Sequence, residues 1–181
     1  MINKLQSKIT KRYVTASGIA AASIATFNGF FSPYFTKKAN GNPYMETKLG
    51  YQPEDLFELA ENYGEEGRKL YTKSAFTIDF LTPLLSCNFL VSLGLYLSGK
   101  FEGGEKFRLP IFLLGLAGCI SDWTENVLMV SILQTYPKKH KALAVAARIA
   151  TSVKYILTLA AVILLIVEGV FCKKKDKEAA V

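Results

Sequence analysis

Residues 109–136 read LPIFLLGLAGCISDWTENVLMVSILQTY, an apolar run interrupted by charge at Asp122 and Glu125. At about 1.5 Å of rise per residue, a helix of this length outreaches a hydrocarbon core of about 30 Å. Three other stretches share its character: 13–36 and 80–99 carry no charge at all, and the apolar run 142–170 carries only isolated ones. The pattern predicts an all-α, four-transmembrane-helix bundle. Residues 1–181 then form a single integral membrane domain, with spans at about 13–35, 74–98, 109–136 and 142–170.

Averages conceal this. With 181 residues, 50% hydrophobic and 20% charged positions, and a mean hydropathy of +0.22, the composition alone resembles a soluble domain. The net charge of +7 comes from 22 Lys and Arg, which flank the apolar runs where phospholipid headgroups would meet them. They do not gather with exposed aromatics, which argues against nucleic-acid binding. Cys87, Cys119 and Cys172 lie far apart without a C-x-x-C, and His140 is the only histidine. Zinc sites, disulfide exchange and bis-His haem ligation are poor readings of such a set, and neither metal nor cofactor is expected.

The first acid is Glu46. The basic start Lys4, Lys8, Lys11, Arg12, with Met1, Leu5 and Ile9 at helical spacing, resembles an amphipathic presequence, and 13–31 could serve as a signal core cleaved near Ala25. Retention as a first span is the preferred reading. Residues 13–35 are long for a signal core, and Ser17, Ala21 and Ala25 form a small-residue stripe that lets helices approach closely.

Between spans one and two, residues 36–72 predict a short amphipathic helical hairpin on the membrane surface. Asn40-Gly41-Asn42-Pro43 signals a turn, Pro53 with Glu54 and Asp55 starts a helix, and Gly64 ends it. From Glu65 a second helix is expected to run straight into span two. Residues 99–108 form a polar turn, Pro110 sits in the first turn of span three, Pro137 closes it, and Cys172 to Lys175 make a basic stop. Four spans put both termini on one side. A weak Lys/Arg excess assigns that side to the matrix or cytoplasm, in a mitochondrial inner membrane or a bacterial cytoplasmic membrane.

Charges inside the spans are the informative residues. Asp122, Glu125 and Asn126 share one helical face, with Met129 a turn further on. Span two carries Asp79 with Thr82, Pro83 and Ser86, and span four carries Arg148 and Lys154 with Thr151, Tyr155 and Thr158. Counted from the 137–141 end at about 1.5 Å per residue, Lys154 lies about 18 Å deep, Glu125 about 16 Å and Asp122 about 21 Å. Asp79 and Arg148 lie only about 8–9 Å deep by the same rise. The set predicts a polar cleft lined by Asp79, Asp122, Glu125, Asn126, Arg148 and Lys154, opening toward the 36–72 hairpin. An isolated charge at mid-bilayer costs roughly 2.5–3.5 kcal/mol on insertion scales, so these groups should pair or face water. A purely structural network, a proton relay, a cation site and acid/base catalysis on a lipid headgroup all remain open.

Other features are weaker. Gly94, Gly115 and Gly118 suit close helix packing, and Trp123 points about 100° away from Asp122 around the helix. Tyr13, Tyr34, Tyr96 and Tyr136 fall at span ends. Phosphate loops, nucleophile elbows and paired histidines are absent from the sequence.

The stretches GYQPEDLFELAENYGEEGRKLY, IDFLTPLL and SDWTENVLMVSILQTYP, within residues 49–160, resemble a family of small four-helix integral membrane proteins of uncharacterised function. The matching positions are Gly64, Gly67, Arg68 and Tyr71 (G-x-x-G-R-x-x-Y), Asp79, Pro83, Asp122, Glu125 and Asn126 (D-x-x-E-N), and Lys154. That pattern usually places aromatics where this chain has Thr82 and Ser86. The resemblance implies the architecture and this residue set, and no reaction. The first functional expectation is a non-catalytic accessory or scaffolding subunit, packing against lipids and partner proteins, with an energy-transducing respiratory complex as one setting. The alternative is a membrane enzyme or a proton- or cation-coupled carrier using the Asp/Glu/Lys cleft on a lipidic or ionic ligand.

Overall fold

The structure, a computed structural model, describes residues 2–47 and 50–171. Met1 and the expected basic stop, Cys172 to Lys175, lie outside the described residues. The elements are α1 (Ile2–Gln6), α2 (Lys11–Lys38), a single 3-10 turn at Met45–Thr47, α3 (Pro53–Asn62), α4 (Gly64–Ala75), α5 (Ile78–Ser98), α6 (Glu105–Thr135) and α7 (Lys141–Phe171). Among the described residues there is no strand, and four helical segments are long and apolar enough to cross a membrane.

Local chemistry sets the boundaries. Extended Thr10 caps α2 by accepting the Tyr13 N–H at 3.2 Å, satisfying one of the free donors of a first turn. The Gln52 backbone N–H donates to Asp55 Oδ2 at 2.9 Å, with Pro53 at the first helical position of α3. Gly64 takes φ +64°, which a side chain would disfavour, and so reverses the chain between α3 and α4. The expected straight run from α4 into span two does not occur. The helix breaks at Phe76 and Thr77, where the Thr77 hydroxyl bonds the Lys73 carbonyl at 2.8 Å and competes with the backbone ladder. Span three also differs from expectation: α6 begins at Glu105, so Pro110 lies inside the helix.

The long helices neighbour one another in the order α2, α5, α6, α7, with α5 and α7 in sparser contact across α6. Hydrogen bonds stitch α2 to α5: Tyr13 to Asn88 at 2.8 Å, Ser17 to Ser92 at 3.0 Å and Asn28 to Thr82 at 2.8 Å. The close approach falls at Ser17 and Gly18, whose missing side chain leaves room for the Phe89 ring. Ala25, expected on the same stripe, is exposed. Packing is densest at one end, where residues 35–47 and 50–75 fold over α6 and α7. There Phe35 stacks on Tyr44 at 4.0 Å and meets the edges of Tyr63 at 5.3 Å and Tyr71 at 6.0 Å, above Leu56, Met129 and Ile132.

Candidate functional site

Directly beneath this aromatic cap lies the polar cluster. Glu125 on α6 has 0% exposure. Its two carboxylate oxygens accept from Lys154 Nζ and from the Thr151 hydroxyl, both on α7 one helical turn apart. Thr151 in turn shares a 2.8 Å hydrogen bond with the Tyr51 hydroxyl. Lys154 also lies 3.8 Å from Asp122 Oδ2 and 5.2 Å from the centre of the Tyr155 ring. Asp122, Glu125 and Lys154, which helical rise places at one depth on two helices, are thus a single ion-paired group.

Asn126 and Asp79 join at the side of this group. The Asn126 amide donates to the Asp79 carbonyl at 3.2 Å, and the Asp79 carboxylate is within hydrogen-bond reach of Ser74, which accepts from the Tyr44 hydroxyl at 3.0 Å. Arg148 does not join them. Its guanidinium donates to Gln52 Oε1 at 2.9 Å, bracing the start of α3; it stands six residues before Lys154, about 120° around the helix and about 9 Å along it.

The four hairpin-motif residues divide between architecture and site. Gly64 makes the reversal, and Gly67 lets α4 lie against Ala39, whose Cα would sit 3.0 Å from any added Cβ. Arg68 donates to the Ala60 carbonyl at 2.8 Å and stacks 4.4 Å from the centre of the Tyr136 ring. Tyr71 reaches the site itself, donating to Glu46 Oε2 at 2.7 Å.

Sequence reasoning does not find Glu46. It sits in the 3-10 turn over the cluster, and burial, followed by the carboxylates of Glu125 and Asp79, pushes its carboxyl up to about 7. Burial likewise pushes the Tyr51 phenol up to about 12. Neither residue stands in a periodic apolar run, so only tertiary packing reveals them. Glu168 also escapes the sequence reading, although an acid near the end of span four is a visible signal. It has 0% exposure and neither carboxylate oxygen has a hydrogen-bond partner; Arg108 lies close enough to act on it electrostatically.

On the far side of the cluster from the cap, a cavity of about 320 Å³ lies between α5, α6 and α7. Asp122 and Lys154 form its polar end, with Ser86 and Thr158 beside them, and Leu90, Leu114 and Ala161 continue it as an apolar channel. The expected opening toward 36–72 is therefore reversed. Tyr51, and Tyr155 donating to the Glu46 carbonyl at 3.4 Å, stand on that side, while the cavity lies between α5 and α7 where those helices touch sparsely. The Cys87 and Cys119 thiols meet within hydrogen-bond reach on its wall. Trp123 is packed, its ring 4.8 Å from that of Phe80 and its Nε1 donating to the Phe80 carbonyl at 3.0 Å. Among the described residues no group of three or more His, Cys, Asp or Glu is placed to hold a metal ion.

No family model, curated protein or solved structure matches the chain, so the resemblance within residues 49–160 rests on its motifs alone.

Proposed function

We propose that the chain is an integral membrane protein that holds a lipidic ligand in the lateral cavity, its headgroup at Asp122 and Lys154. The carrying observation is the junction of a largely apolar cavity between α5, α6 and α7 with an ion-paired cluster, the composition typical of small-ligand sites. In this reading α2, α5, α6 and α7 cross the bilayer and α3 with α4 forms the short amphipathic hairpin at one face. Support for insertion comes from the outward side chains: Phe30 is 77% exposed, Ile156 65% and Val170 69%, an apolar surface that water would not tolerate. By the weak Lys/Arg asymmetry, both termini face the matrix or cytoplasm.

A second reading, the accessory subunit, is favoured by α2, whose Ile19, Phe27 and Phe30 are exposed on a helix that packs chiefly on α5. One experiment separates the two. Protein purified in mild detergent is extracted with organic solvent, and the extract and the protein fraction are both analysed by mass spectrometry. Ligand holding predicts a co-purifying lipidic molecule near one per chain, lost from Ser86→Phe, in which a ring fills the cavity beside Asp122. Stoichiometric protein partners with an empty extract would replace the first reading by the second.

A further inference from the structure

We infer that the headgroup taken by this cavity is a protonated amine, carried on a single-chain amphiphile; this rests on the ligand-holding reading above. Charge and hydrogen-bond valence at the polar end lead there. Among the described residues, Asp122 and Glu125 share Lys154, the Asp79 carboxylate lies within electrostatic reach of Lys154 and Glu125, and Arg148 is engaged by Gln52. Lys154 donates to one oxygen of Glu125, whose other oxygen accepts from Thr151. Asp122 has only one long contact, at 3.8 Å to Lys154 through Oδ2. Its carboxylate is the one that lines the cavity, and two carboxylates sharing one ammonium are under-compensated in apolar surroundings, which is costly.

A cationic head at Asp122 supplies the missing charge. An alkylammonium has three donors, and the cavity end offers three acceptors: the open oxygen of Asp122 and the hydroxyls of Ser86 and Thr158, which take no hydrogen bond from the rest of the described chain. The Tyr155 ring also lines this end and adds an aromatic face suited to a cation. Behind the head, Leu90, Leu114 and Ala161 give an alkyl chain an apolar bed. Anionic heads meet two carboxylates that already share the one ammonium of Lys154, and a hydroxyl head adds no positive charge.

The test uses the full chain in nanodiscs of zwitterionic phospholipid, with thermal unfolding followed by circular dichroism, and three probes of equal chain length: dodecylamine, dodecanol and dodecanoate. A ligand that binds the folded state raises the Tm, and Ser86→Phe gives the baseline for probes acting only through the bilayer. Dodecylamine should raise the Tm above that baseline at concentrations at least about tenfold below those needed for the other two, the difference expected for a charge-assisted hydrogen bond. Asp122→Asn should lose this response and Asp122→Glu keep it. An equal or larger response to dodecanol or dodecanoate overturns the amine assignment and leaves the ligand-holding reading standing. If no probe moves the wild-type Tm beyond the baseline, the ligand-holding reading falls with it. The ranking of the three probes is read on the wild-type chain, so the amine assignment stands or falls without any variant.

Discussion

Exchanging Lys154 for methionine keeps most of the side-chain volume and removes the charge on which Glu125 and Asp122 converge. Glu125, with 0% exposure, then keeps only the Thr151 hydroxyl, and a second carboxylate stands close by. Taking one partner from a buried ion pair costs about 3–5 kcal/mol, and an isolated charge in a span costs about 2.5–3.5 kcal/mol on insertion scales. The ranges meet just above 3 kcal/mol. Glu125→Gln perturbs the same bond from the other side with a milder result: Lys154 retains Asp122, the amide oxygen still accepts from Thr151, and the loss is about 1–2 kcal/mol. The double variant should be little worse than Lys154→Met alone, which gives a coupling energy of about 1–2 kcal/mol. Thermal unfolding in mild detergent measures all three. At about 2–4 °C per kcal/mol for a chain of this size, the Tm falls by about 6–12 °C for Lys154→Met and by a few degrees for Glu125→Gln. Equal losses from the two single variants, or strict additivity in the double, would refute the assignment of Lys154 as the shared cation.

Glu46 makes stability pH-dependent. Because its carboxyl is raised from 4.5 to about 7, the folded chain holds a proton there that the unfolded chain releases, so stability falls by up to about 3 kcal/mol as pH rises through that window and levels off above it. Glu46→Gln should make the curve shallower, and a wild-type Tm constant from pH 4.5 to 7 would contradict the placement of Glu46. Two glycine substitutions should act in opposite directions: Gly67→Ala meets Ala39 Cα and Tyr63 Cβ at 3.0 Å and costs about 1–3 kcal/mol. Gly29→Ala meets nothing within 4 Å inside α2 and gains about 0.5–1 kcal/mol, so unfolding curves showing the same sign for both would count against the packing of α4. Arg148→Ala should cost under about 1 kcal/mol, as an exposed brace to Gln52 would; a Tm loss matching that of Lys154→Met would return Arg148 to the carboxylates.

The four long helices were legible because each is a charge-poor run longer than a bilayer core, a signal independent of tertiary structure. So was the meeting of Asp122, Glu125 and Lys154, since helical rise alone converts position into depth. Rotation about the helix axis is less forgiving. Arg148 and Asp79 lie at similar depth, yet the former turns toward Gln52, a partner on a loop whose course periodicity does not encode. The break at Phe76 and Thr77 was hidden because both residues suit an apolar run, and only side-chain bonds to backbone carbonyls mark it. The direction of the cavity depended on where Tyr51 and Glu46 sit. Both belong to an irregular stretch positioned by its contacts with other helices.

The ring of Phe35 is shared by parts of the chain far apart in sequence: it ends α2, stacks on Tyr44 and is edged by Tyr63 and Tyr71. Tyr44 stands two residues before Glu46, and Tyr71 holds the Glu46 carboxylate. The one aromatic joint therefore links elements that the chain order keeps apart. The end of the outermost long helix and the carboxylate over the Glu125 cluster are therefore fastened to the same four rings, so a change at either is felt first at Phe35.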